Sequence, residues 1–145
     1  MPRNIIRQAV LLTTFFTVFW GCQTSSNPDA VRLTNEFGDR YLAALERAAI
    51  TLEDVENTES VPPAIETLEQ IIEDMNRLSA EAKTLPKISR SEMRDFEARV
   101  GQEIQRLHKR LMSAANQAAL ATGRNQELGA AVIRLDQTVH RFGQS

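Results

Sequence analysis

Few side chains in this sequence of 145 residues are of the types that perform chemistry. Cys22 is the only cysteine, and His108 and His140 are the only histidines. Two histidines without a further group of ligands make a poor metal site, and neither follows an acidic residue in the Glu-x-x-His pattern of di-iron bundles. We therefore expect both histidines at solvated or interface positions, and we predict no metal and no other cofactor.

Pairs of carboxylates are common, but their setting does not favour catalysis. Glu69 with Glu73 and Glu92 with Asp95 are spaced to share one helix face. A catalytic pair also needs a pocket and partner groups, which this pattern does not indicate. No serine stands in the Gly-x-Ser-x-Gly context of a nucleophile elbow. The sequence predicts a protein that is not an enzyme and has no catalytic residue.

A short basic segment could contact phosphate groups. It contains Arg106, Lys109 and Arg110, with acidic residues interleaved along the same region. Interleaved acids weaken the positive field that nucleic-acid binding requires. We interpret these residues as a face that forms structural salt bridges, and we predict no nucleic-acid partner.

The chemistry open to Cys22 depends on the residues before it. Arg3 and Arg7 precede an apolar run over residues 9–20, and the run ends at Gly21-Cys22. A charged start, a short apolar segment and a small residue at its end are typical of a secretory signal. The run is well short of the ~18–20 residues that span the hydrocarbon of a bilayer. We predict a signal peptide over residues 1–21.

Gly21-Cys22 resembles the end of a bacterial lipoprotein signal, in which a lipobox closes with a small residue before the cysteine. The resemblance implies cleavage after Gly21, a thioether-linked diacylglycerol on Cys22 and an acyl chain on the new amino terminus. Gln23 stands where Asp would signal retention in the inner membrane. The resemblance therefore implies a bacterial cell-envelope protein, held by lipid in the outer membrane and facing the periplasm.

Two other interpretations of this segment stay open. One is an ordinary secretory signal that contains a cysteine by chance, although no Ala-x-Ala-like cleavage site lies between Trp20 and Asn27. The other is an uncleaved membrane anchor. Trp20 is bulkier than the residue that usually occupies this position of a lipobox.

The rest of the chain has the composition of a helical domain. The full chain carries a net charge of −2, and aromatic residues make up 6% of it. Mild acidity offers no general attraction to nucleic acid or anionic lipid, and scarce aromatics suit helices packed through Leu, Ile, Val and Ala. Residues 22–27 form a short tether, and residues 28–145 form one domain.

Hydrophobic periodicity and turn residues predict the helices. The first covers about 28–55, after Asn27 as the cap and Pro28 in the first turn. The second begins after Ser60 as the candidate cap and ends before Pro86. The third begins at a capping box of Ser89 and Glu92. A break at 122–125, with Gly123 in a left-handed conformation, is favoured over one continuous helix to the end of the chain.

The short connections predict neighbouring helices that run antiparallel. The fold is therefore expected to be all-α, an up-and-down antiparallel bundle of three long helices with a short C-terminal fourth segment. The second helix is acidic and the third is basic. Opposite charges along adjacent helices favour a register in which these two lie side by side, although each exposed pair adds little.

The segments 57–64 and 85–92 are similar to a pattern in small helical bacterial proteins, often lipoproteins, that have no assigned activity. That resemblance implies a fold and nothing catalytic. We expect a non-enzymatic interaction or structural module that is bound to the membrane through the lipid on Cys22, with an envelope protein as its candidate partner. The alternative is a binding protein for a small apolar or metal ligand, using the alanine-lined stretch 114–121.

Overall fold

The computed structural model describes residues 27–142, which form four α-helices. The predicted signal peptide and Cys22 lie outside these residues. Helix α1 covers Pro28–Glu53, α2 Val61–Ala82, α3 Arg90–Ala121 and α4 Gln126–Phe142. No strand occurs in the described part of the chain. The predicted all-α bundle, with three long helices and a short fourth, is confirmed.

Local sequence accounts for the starts of α1 and α3. The side-chain oxygen of Asn27 accepts hydrogen bonds from the backbone N–H groups of Asp29 (3.1 Å) and Ala30 (3.4 Å). The Ser89 hydroxyl accepts from the Glu92 N–H (3.3 Å), and the Glu92 carboxylate accepts from the Ser89 N–H (2.8 Å). Both predicted caps are therefore confirmed, because each satisfies backbone donors that the first helical turn leaves free.

In the turn between α1 and α2, Ser60 occupies the N-cap position of α2, as predicted. The side-chain cap is made one turn earlier, where Asn57 accepts from the N–H groups of Glu59 (2.9 Å) and Ser60 (3.2 Å) at the start of a 3-10 turn, Thr58–Ser60. The Ser60 hydroxyl makes no cap bond to α2. It instead accepts from the N–H groups of Glu56 and Asn57 and donates to the Asn57 carbonyl.

The helix break after Ala121 is present. Gly123 and Arg124 both adopt left-handed backbone angles, with φ of 63° and 61°. The Arg124 N–H donates to the Ala119 carbonyl (2.7 Å), as in a Schellman ending. Asn125 then caps α4, accepting from the N–H groups of Glu127 and Leu128 at 3.0 Å each. Four consecutive residues thus stop one helix and start the next.

Ion pairs show how the helices run. Arg40 pairs with Glu81, and Arg47 lies 3.3 Å from Asp74, so α1 and α2 are antiparallel. The pairs that join α3 to α1 advance along both helices together, so these two are parallel. They are Arg99 with Asp39 and Arg110 with Glu46 and Glu53. α4 follows α3 after a four-residue turn, and its Asp136 returns to His108 of α3, so α4 is antiparallel to α3. The four helices therefore alternate in direction, up and down, as predicted.

The lateral order of the helices was not predicted. α1 packs along both α2 and α3, and α2 packs along α4, whereas α3 and α4 contact each other far less. The expectation that α2 and α3 lie side by side because of their opposite charges is wrong. Their charged side chains pair with α1 and α4 instead, as Arg134 with Glu69 illustrates between α4 and α2. Weak exposed pairs do not choose a helix neighbour against the packing of apolar faces.

The core is one continuous cluster shared by all four helices. Its largest fully buried side chains are Leu45, Leu52, Leu68, Ile71, Met75, Leu107, Leu111 and Leu135. Two residues that fit the hydrophobic period of their helices nevertheless lie outside the core: Leu33 is 39% exposed, and Ala121 is exposed at the helix end. The neighbouring residue Thr34 is buried instead. Its hydroxyl tolerates burial because it donates a hydrogen bond to the Ala30 carbonyl (2.9 Å).

Candidate functional site

The fold brings the two histidines together between α3 and α4. His108 Nε2 lies 3.3 Å from Asp136 Oδ1, and His140 Nδ1 lies 3.4 Å from the same oxygen. His140 Nδ1 is also 2.8 Å from the Asp136 backbone carbonyl. The two rings meet edge to face, with centroids 6.1 Å apart. We name these three residues the histidine cluster; it links two helices that otherwise contact little.

The histidine cluster has limited chemical capacity. Within residues 27–142, no group of three His, Cys, Asp or Glu side chains is arranged to hold a metal ion. In this same part of the chain, neither imidazole is hydrogen-bonded to a hydroxyl or thiol that it could activate as a base. The geometry suits an ion pair between helices whenever a histidine is protonated. The interface position of both histidines agrees with the sequence prediction, but nothing in the sequence indicated that the two would meet.

The paired carboxylates take structural roles. Glu69 pairs with Arg134 of α4, and Glu73 lies 4.0 Å from Arg77 on its own helix. Glu92 completes the capping box of α3, and Asp95 is exposed on the following turn. These contacts agree with the interpretation of the pairs as a solvated helix face.

The basic segment of α3 is likewise engaged with carboxylates. Arg110 donates to both Glu53 carboxylate oxygens at 2.7 Å, and to Glu46 at 3.4 Å. The hydrogen bond from Arg110 lowers the pKa of the Glu53 carboxyl. Arg106 pairs with Glu103 at 2.9 Å. The predicted salt-bridging role of this segment is therefore confirmed for both arginines.

A groove of about 260 Å³ lies between the first turns of α1 and α3. Its lining includes Val31, Thr34, Asn35, Ile88, Phe96 and Arg99. The Arg99 guanidinium lies 5.9 Å from the Phe96 ring centroid and donates to Asn35 (3.0 Å) and Asp39 (2.8 Å). The cation at the edge of the groove, Arg99, thus already has hydrogen-bond partners within the protein.

The alanine-lined stretch of α3, where the sequence allowed a ligand cavity, is packed. Ala114 and Ala118 are 2% and 0% exposed and belong to the same core cluster as Leu128 and Ala131 of α4. Small side chains here let neighbouring helices approach rather than leave space. The geometry of residues 114–121 gives no observation in favour of the ligand-binding alternative.

The structure shows a cluster of basic residues that was not predicted from the sequence. Lys83, Lys87, Arg90 and Arg94 surround the connection between α2 and α3, and all four are exposed. The available signal was four cations against one acid, Glu92, within residues 83–94. The net charge of each helix does not reveal this cluster, because its residues are divided between the end of α2, the connection and the start of α3.

None of the helices in the described range is long and apolar enough to cross a bilayer. Compared with known proteins, the chain matches no family model, no curated protein and no solved structure.

Proposed function

We propose that this protein is a lipid-anchored, non-enzymatic helical bundle of the bacterial cell envelope, acting as an interaction or structural module. The observation that carries the proposal is the charged and apolar segment that ends at Gly21-Cys22. An ordered helix cap at Asn27 follows within five residues. A lipid attached to Cys22 would therefore be followed almost at once by a folded domain.

The length of the tether supports a role close to the membrane. Cys22 and Asn27 are separated by four residues, and an extended chain advances at most ~3.5 Å per residue. The start of α1 thus lies within about 20 Å of the lipidated cysteine. Three acyl chains give firm attachment, because each buried methylene contributes ~0.8 kcal/mol and two chains already suffice for stable anchoring. Its partners would be envelope proteins within that reach.

The roles taken by the reactive side chains support a non-enzymatic module. Of the carboxylates and arginines that the sequence singled out, Glu92 caps α3, and Glu69 and Arg110 form ion pairs between helices. The histidine cluster joins α3 to α4 through Asp136. These contacts stabilise and orient helices, and a bundle held in this way presents a fixed surface to a partner.

Intact mass and membrane fractionation of the wild type and Cys22→Ala test the proposal. We expect the wild type to carry lipid and to sediment with membranes, and Cys22→Ala to lack both properties. Ser25→Ala is the matched control, since it changes the same tether without removing the thiol and should behave as wild type. A wild-type protein of unmodified mass that stays in the soluble fraction would contradict the lipid anchor.

The interaction role needs its own test. Chemical cross-linking in cells that express the wild type should capture an envelope protein, and Cys22→Ala should lose that product because the bundle leaves the membrane. A bundle that captures no envelope component, in a strain whose envelope is unchanged when the protein is deleted, would refute this part of the proposal.

A further inference from the structure

We propose that two copies of this chain exchange α4, so that α3 and α4 of each copy form one continuous helix and each α4 packs in the bundle of the other copy. The partner is therefore a second copy of the chain, and it binds the surface that α4 covers in the single bundle. The residues that carry this inference all lie within 90–142, so it goes beyond the proposed lipid anchor and does not depend on it.

The core positions of α3 and α4 follow one seven-residue period that passes through the break between the two helices. The buried members of this series are Val100, Leu107, Ala114, Leu128 and Leu135. Ala121 also belongs to the series, and it is exposed because α3 ends there. A sustained period of seven is typical of one helix that packs along its neighbours without interruption. The two helices are thus in phase to be one.

The break itself holds the chain in a costly conformation. Gly123 and Arg124 have φ of 63° and 61°, and the Cβ of Arg124 disfavours this left-handed region. In a continuous helix, the last carbonyls of α3 would accept directly from the first N–H groups of α4. A short connection under strain favours exchange of the element that follows it.

The exchange preserves the contacts that α4 makes. α4 packs along α2 and contacts α3 far less, so most of its packing does not require the helix that precedes it in the chain. Arg134 of α4 pairs with Glu69 of α2, and Asp136 lies 3.3 Å from His108 of α3. In the exchanged pair the same contacts form between the two copies, and this is how helix exchange produces dimers at low cost.

The geometry of the exchange closes with two copies. α4 runs antiparallel to α3 in the single bundle, whereas in a continuous helix it runs on in the same direction. It therefore fits a second bundle that is turned end for end, with a twofold axis near residues 122–125. Because the axis is twofold, each α4 fills the place that the other has left, and a closed dimer results.

The bundle ends that face each other in this dimer are acidic. α1 is parallel to α3, so the turn that follows α1 lies at the same end of the bundle as the break. Asp54, Glu56 and Glu59 are exposed in this turn. Repulsion between two such turns opposes the exchange and is screened by salt. The fraction of dimer should therefore rise with ionic strength, whereas a dimer held by exposed ion pairs would weaken.

Cross-linking between single-cysteine chains tests the exchange. Two full-length chains carry Cys22→Ala, one with Glu69→Cys on α2 and the other with Arg134→Cys on α4. They are mixed in denaturant, refolded together and treated with a short bismaleimide. We expect a product that contains both chains, because α4 of one lies on α2 of the other. Arg47→Cys with Asp74→Cys is the matched control, since it joins α1 to α2, which are not exchanged, and should stay unlinked.

The backbone preference of the break sets the monomer–dimer equilibrium. Gly123→Ala adds a Cβ that meets nothing within 4 Å, so it acts only by disfavouring the left-handed conformation. We expect about a tenfold effect per chain, and thus about a 100-fold lower dissociation constant of the dimer. Arg124→Gly should raise this constant by a similar factor, because glycine tolerates the break and weakens a continuous helix. Gly129→Ala is the control, since residue 129 is helical in both forms and its Cβ meets nothing within 4 Å.

Sedimentation equilibrium gives the dissociation constants, and circular dichroism checks that each variant is folded. Equal linking in the α2–α4 pair and in the α1–α2 control would indicate association of another kind and would overturn the exchange. A protein that stays monomeric at every concentration, or a dimer that weakens as salt is added, would overturn it as well. If Gly123→Ala does not fold, Arg124→Gly and the cross-linking still decide, because neither relies on that variant.

Discussion

At the scale of single residues, Gly38 has a role that its sequence setting did not reveal. Glycine inside a helix usually destabilises the helix relative to alanine, so the sequence alone predicts that Gly38 lowers the stability of α1. In the fold, a Cβ on residue 38 would lie 2.6 Å from the Phe96 ring and 3.1 Å from Val100. The absent side chain is what allows α3 to approach α1 so closely.

Gly38→Ala should therefore destabilise the protein by ~1–3 kcal/mol, because a ring in a packed core must move. Gly101→Ala is the matched control: it lies within α3, and its Cβ would meet nothing within 4 Å. That change should stabilise by up to ~1 kcal/mol through helix propensity. Urea unfolding of both variants checks the pair, and a neutral Gly38→Ala would refute the close approach.

Glu97 gives a prediction about pH. Burial raises the pKa of its carboxyl, so the folded protein disfavours the charged form. The stabilising contribution of such a group is complete below the unfolded pKa of about 4.3 and is lost as the pH rises through the folded value. Glu97→Gln should thus have a higher Tm than wild type at neutral pH.

The gain from Glu97→Gln should vanish below about pH 4, where the glutamate is protonated in both states. Thermal unfolding across the pH range measures this difference. Glu66→Gln removes an exposed carboxylate and should give no such pH-dependent gain. An equal gain in the two variants would indicate an effect of net charge instead.

At the scale of elements, the local sequence determines where helices begin and end, but it does not determine which helices pack against each other. Asn27, Ser89 and Asn125 each satisfy N–H groups of the residues that directly follow them, so their roles can be read from a few letters. Ser60 stands at the N-cap position of α2 as predicted but makes no cap bond, and Asn57, three residues earlier, caps the 3-10 turn before it. Both residues are good caps, and only the path of the chain decides between them.

Substitutions at the break between α3 and α4 should change the stability of the protein in opposite directions. Asn125→Ala removes two side-chain hydrogen bonds at the start of α4 and should destabilise by ~1 kcal/mol. Arg124→Gly relieves a left-handed conformation that is costly for a residue with a Cβ and should stabilise by up to ~1 kcal/mol. Denaturant unfolding measures both. If neither changes stability, the break is not what holds the ends of α3 and α4.

At the scale of the whole molecule, stability rests on one shared core, and α4 belongs to it despite its length. Leu135 is fully buried, whereas Ile133, two positions earlier on the same helix, is 59% exposed. We expect Leu135→Ala to cost ~2–5 kcal/mol, since it leaves a cavity among packed helices. Ile133→Ala should stay within ~0.5 kcal/mol. Equal costs in thermal unfolding would show that α4 is oriented differently.

The sequence by itself determined the helical class, the number of helices, most helix ends and the alternation of direction, because caps, glycines and hydrophobic period act over a few residues. It also carries the prediction of a lipid on Cys22. Only the tertiary structure decided that α1 lies between α2 and α3, that Leu33 is exposed and that His108 meets His140. These outcomes depend on how whole apolar faces share one core, and neither the period of a helix nor its net charge contains that information.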